Sequence, residues 1–117
     1  NFTELLQNAA RGLYSLMGAK AKEKHHGPPV EKQMILDADD AEGLLVEWLA
    51  ELAYWVESES FIGSDINISE VDSNYLRAAI SGREAEKIEK HIKAVTYHNL
   101  KIIKTSEGLE ATIVFDV

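Results

Sequence analysis

From Ala41 to Val56 the apolar residues Ala41, Leu44, Leu45, Trp48, Leu49, Leu52, Trp55 and Val56 recur at i, i+3, i+4 spacing. An α-helix with one buried face accounts for that pattern; a strand, with its period of two, does not. Two tryptophans and four leucines on one stripe cannot stay in water, so the rest of the chain must supply a layer for them to pack on. Asp39 or Asp40 can cap this helix, which is predicted to end near Glu57. Glu42, Glu47 and Glu51 lie off the stripe and are expected to face solvent.

The remaining segments suggest that layer. Residues 4–17 read as another helix, with Thr3 as N-cap, Glu4 at the positive end of the dipole and Gly18 as the stop. Its apolar face is Leu5, Leu6, Ala9, Leu13, Leu16 and Met17. Residues 19–29, with Lys20, Lys22, Lys24, the pair His25–His26 and two prolines, read as an exposed loop. Residues 30–36 read as a strand with Val30, Met34 and Leu36 on one face. After the central helix the period becomes two: Ile66 and Ile68 alternate with Asp65, Asn67 and Ser69 within residues 62–71. Asp72-Ser73-Asn74 is a turn, and residues 75–81 complete a hairpin. Residues 82–91 read as a charged connection and residues 92–104 as β-rich. Ser106-Glu107-Gly108 is a turn, and residues 109–117 form a last strand. The expected fold class is α+β: a two-layer, mostly antiparallel sheet of about five strands with both helices packed on one face. Its 117 residues suffice for a single domain, residues 1–117.

Composition narrows the function classes. Without cysteine there are no disulfides and no thiolate metal sites. No apolar run approaches the roughly 20 residues that span a bilayer. The amino end has no basic region leading into an apolar core. A soluble, cytoplasmic protein with no membrane partner is expected. Twenty acidic against twelve basic residues give a net charge of −8. No tight, direct nucleic-acid binding is expected of such a chain, because lysine and arginine supply most of the affinity for phosphate backbone.

Few residues point to chemistry. There is no Gly-x-Ser-x-Gly elbow and no glycine-rich phosphate loop. His25 and His26 read as a solvated pair, since no third metal ligand lies at a recognised spacing, and His91 as a surface residue. In Lys93-Ala94-Val95-Thr96-Tyr97-His98, alternation places Lys93, Val95 and Tyr97 on one face and Ala94, Thr96 and His98 on the other. Spacing leaves two readings open: Tyr97 packs in the core with His98 half-buried, or one of them lines a binding surface. At the end of the chain, Phe115-Asp116-Val117 places the Asp116 side chain and the terminal carboxylate of Val117 one residue apart. Oxygen anions of this kind suit hard cations such as Mg²⁺, Ca²⁺ or Mn²⁺.

Residues 92–100, then 105–108, then 111–117 resemble the archease signature, with Lys93 to His98 and the final Phe115-Asp116-Val117 its most specific parts. Residues 5–10 and 16–17 resemble the family's first helix, and Leu44-Leu45, Trp48-Leu49 and Glu51-Leu52 its second. The resemblance implies an accessory protein, not itself an enzyme, that activates a GTP-dependent RtcB-type RNA ligase in tRNA splicing and RNA repair. The ligase is the implied partner, and its guanylylation and turnover are the implied steps. A divalent metal (calcium, magnesium or manganese) is the implied cofactor, with Asp116 and the Val117 carboxylate as ligands. Lys93, Tyr97 and His98 are candidates for the partner or pocket surface. Archeases open with a strand bearing His-Thr-Ala-Asp ahead of the first helix; this chain starts at that helix, so the strand and its aspartate ligand are expected to be absent from it. Lys90-His91 also runs directly into Ile92-Lys93, where archeases usually carry a short glycine-containing segment. Two other readings compete: a stand-alone metal- or ligand-binding module without a ligase, and a small enzyme using Tyr97, His98 and Asp116 as acid–base groups.

Overall fold

The computed structural model describes residues 1–22, 29–97 and 99–117. His25, His26 and His98 lie outside these residues. The first helix, α1 (Phe2–Met17), begins two residues earlier than the apolar pattern suggests. Asn1, and not Thr3, is its cap: the Asn1 side-chain oxygen accepts the Glu4 N–H at 2.8 Å. Asn1 wins because helical dihedrals already begin at Phe2, which puts Thr3 inside the first turn. Gly18 ends the helix at φ 60° as expected. Leu5, Leu6, Ala10, Leu13 and Met17 are buried, whereas Leu16 sits on the outer side.

Two residues of the expected loop form a short strand, β1 (Lys20–Ala21). Three long strands follow: β2 (Val30–Asp37), β3 (Phe61–Val71) and β4 (Tyr75–Lys87). They form a four-stranded antiparallel sheet with β4 at its centre, pairing with β1, β2 and β3. Met34, Leu76, Ala78 and Ile80 are buried in the core. Val30, assigned by alternation to the same face as Met34, is exposed at the start of β2.

The connection expected at residues 82–91 is in its first half strand: β4 continues through Lys87. Backbone pairing overrides the polar side chains there. Arg83 and Glu84 lie opposite Ile62 and Phe61 of β3, and Ala85 and Lys87 pair with β1. Gly82 makes the extension possible, because a Cβ at this position would collide with the Ile62 carbonyl.

The second helix, α2 (Ala41–Glu59), takes Asp40 as its cap, whose carboxylate accepts the Gly43 N–H at 2.7 Å. Trp48, Leu49, Leu52 and Val56 are fully buried, and the Trp55 ring packs edge-on against Phe61. Both helices contact the sheet, as the α+β reading requires. Gly43, Val46 and Ala53 of α2 are buried as well. At 3.6 residues per turn these lie on the side away from Trp48 and Leu52. The C-terminal segment covers that side with β5 (Ala94–Thr96), β6 (Ile102–Thr105), β7 (Gly108–Ala111) and β8 (Val114–Asp116). The stretches read as 92–104 and 109–117 are thus four short strands, paired β5 with β8 and β6 with β7. The helices run between the four-stranded sheet and these two small ladders. Among the described residues, no helix is long and apolar enough to cross a membrane.

Candidate functional site

The site starts from the β5–β8 ladder, which brings together two segments about twenty positions apart in the chain. Ala94 lies opposite Asp116, Val95 opposite Phe115, and Thr96 opposite Val114. The Lys93 N–H donates to the Asp116 carbonyl oxygen at 2.6 Å. Val95 and Phe115 turn inward and pack against the core. Alternation then presents Ala94, Asp116 and Val114 outward, and all three are exposed. Lys93 and Val117, which flank the ladder, are exposed as well, Lys93 at the rim of a groove against α2. The Thr96 hydroxyl is buried without a hydrogen-bond partner among the described residues.

Tyr97 follows β5 and is 55% exposed, so it does not pack in the core. Instead it lines a shallow pocket of ≈ 400 Å³ at the N-terminal end of α2, with Asp37, Asp39, Asp40, Gly43 and Glu47. Its phenol pKa is raised above the ordinary tyrosine value, first by partial desolvation and then by the negative charges of Glu47, Asp40 and Asp39. Tyr97 is therefore a neutral hydrogen-bond donor at physiological pH, facing an acidic wall.

Asp116 and the Val117 carboxylate sit at one strand end, but two carboxylates are a minor part of the six to eight oxygens that calcium takes. Among the described residues no group of three or more His, Cys, Asp or Glu side chains is placed to hold a metal.

The sequence also missed two carboxylates. Glu57 accepts the Ile92 N–H at 2.7 Å and lies 3.2 Å from Nδ1 of the exposed His91. Glu42, expected to face solvent, accepts the Ile102 N–H at 3.1 Å. The acidic wall beside Tyr97 was visible only as a capping signal, because nothing in a linear pattern places residue 97 next to residue 40.

Known proteins match this arrangement over its whole length. Residues 1–117 match the archease protein family (MTH1598/TM1083). The chain belongs to the archease family. An archease of Methanosarcina mazei is 33% identical over 122 residues, covering 97% of this chain and 82% of that protein. An archease of Archaeoglobus fulgidus is 29% identical over 123 residues, covering 100% and 86%. A crystal structure from Thermotoga maritima, described as an archease and possible chaperone, superposes with a TM-score of 0.71. That pair shares 23% identity and covers 100% of this chain and 84% of the other, so it bears on the fold alone. The α+β class and the family resemblance read from the chain are both borne out.

Proposed function

We propose that this archease is an accessory protein that activates a GTP-dependent RtcB-type RNA ligase, raising its guanylylation and its turnover in tRNA splicing and RNA repair. The observation that carries the proposal is the β5–β8 register, which sets the two most family-specific segments side by side, with Lys93, Asp116 and Val117 all exposed at that strand pair. An activator needs such a contact surface and needs no complete active site of its own. Tyr97 extends the surface to the acidic pocket at the start of α2. A negatively charged body favours encounter with a basic face of a ligase and disfavours direct capture of RNA.

The cytoplasm, where tRNA is processed, is the proposed location. Asp116 and the Val117 carboxylate are proposed as a partial hard-cation site for Ca²⁺, Mg²⁺ or Mn²⁺, which needs further ligands from outside the described set. The test uses the RtcB-type ligase of the same organism with GTP and metal. The protein alone is expected to leave RNA ends unsealed; added to the ligase, it is expected to raise guanylylation and multiple-turnover ligation. If a folded protein changes neither, the activator reading fails, and metal binding without any effect on the ligase supports a stand-alone binding module.

A further inference from the structure

The proposed ligase-contact surface is carried by a thin layer. Among the described residues, no ladder joins β5–β8 or β6–β7 to the four-stranded sheet. Among the described residues from position 92 onward, Ile92 and Leu100 alone are buried hydrophobics, whereas Val95, Ile102, Ile113 and Phe115 are only partly buried against the core. Beneath β5, α2 presents Ala50 and Ala53 with Tyr54 and Glu57, leaving a groove of ≈ 190 Å³ against Ile92–Val95. Small side chains facing this groove add little interdigitation to the inward packing of Val95 in a three-residue strand.

Besides the apolar contacts of Val95, Ile102 and Phe115 with the core, two hydrogen bonds fix the layer along α2, one at each end. Glu57 accepts the N–H of Ile92, and Glu42 accepts the N–H of Ile102. The two glutamates are separated by about 22 Å of helix at 1.5 Å per residue. The intervening chain therefore runs back along α2 from its C-terminal end to its N-terminal end. Both bonds are charge-assisted, and of the two buried apolar side chains Ile92 is itself anchored and Leu100 lies two residues before the other anchor. Lys93 and Tyr97 lie between the anchors, and Asp116 is tied to Lys93 through the backbone. A carboxylate on a packed helix is a rigid post; the same carboxylate in solvent, as the helical pattern suggested for Glu42, would do nothing for β5.

We infer that Glu57 and Glu42 are positioning residues: by holding the backbone at Ile92 and Ile102 they set the placement of the Lys93–Tyr97–Asp116 surface against α2. This rests on the activator reading for its functional consequence but not for its structural one. Glutamine keeps an oxygen that accepts the same N–H, whereas alanine does not, which separates anchoring from charge.

The experiment compares wild type, the double variant Glu42→Ala/Glu57→Ala and the double variant Glu42→Gln/Glu57→Gln. Amide hydrogen exchange and activation of the RtcB-type ligase are both read. The alanine pair is expected to speed exchange over residues 92–102 by about tenfold or more. Exchange in α1 and β4 should stay unchanged, ligase activation should fall, and the glutamine pair should retain most of both properties. Activation lost with exchange at 92–102 unchanged overturns the inference, because the glutamates would then touch the partner directly. Faster exchange throughout the molecule overturns it as well, since the role would be general stability. If wild type fails to activate the ligase, the activator reading falls separately; exchange at 92–102 then decides the anchoring, release supporting it and no change overturning it.

Discussion

Trp48 donates its indole N–H to the main-chain carbonyl of Leu6 at 2.9 Å, and both residues are fully buried. The bond crosses from α2 to α1, so it sets how the two helices meet and satisfies the one polar atom of a large apolar side chain. Trp48→Phe removes the donor and leaves a small gap. A loss of about 1–3 kcal/mol is expected, read as a shift of the urea midpoint at constant slope. A midpoint unchanged within error would show that the helices are set by apolar packing alone.

Two glycines should respond with opposite signs. Gly12 lies on the exposed side of α1, and an added Cβ would meet nothing within 4 Å. Gly12→Ala is expected to stabilise the protein by about 0.5–1 kcal/mol through reduced chain entropy and better helix propensity. Gly82 in β4 has the Ile62 main chain where a methyl group would go. Gly82→Ala should cost at least about 2 kcal/mol, because backbone has to move. Equal effects in thermal melts would contradict the packing of β3 against β4.

Tyr14 gives a pH signature. The Gly63 N–H donates to its hydroxyl oxygen at 3.0 Å, and burial raises its pKa above the ordinary value, an effect that hydrogen bond offsets only in part. The unfolded chain therefore ionises first, near pH 10. Tyr14 contributes its full stability below that point and loses it progressively as pH rises through the folded pKa. Tyr14→Phe should cost about 1–2 kcal/mol at pH 7, from the unpaired Gly63 N–H, and should flatten the fall in stability above pH 10. An alkaline limb of the same steepness in Tyr14→Phe would assign that limb to other groups.

The chain terminus is tested by charge and by position. Two carboxylates fill only a small part of a hard cation's oxygen shell and predict weak, water-dominated binding of Ca²⁺ or Mn²⁺ by the protein alone. Asp116→Asn should weaken it further by calorimetry and should abolish ligase activation, while barely altering the metal-free melting temperature. One residue added after Val117 displaces the carboxylate by roughly 3.3 Å along the strand and should act likewise. Normal activation by both variants would reduce the terminus to the end of a strand.

Much of this protein is local in origin, and the chain alone determined it. The stripe from Ala41 to Val56, an aspartate cap at Asp39 or Asp40, the Gly18 stop and the alternation around Ile66 and Ile68 each depend on neighbours within one or two turns, so local pattern reports them. Tertiary structure decided what depends on distant backbone. β4 reaches Lys87 because β1 and the start of β3 offer hydrogen-bond partners to residues whose side chains look like a loop. Glu42 and Glu57 became acceptors, and Tyr97 left the core for an acidic pocket, because the C-terminal segment folds back along α2. A helical wheel can say which residues share a face. Which chain segment lies against that face is settled by packing between elements far apart in sequence, and a linear pattern carries no trace of it.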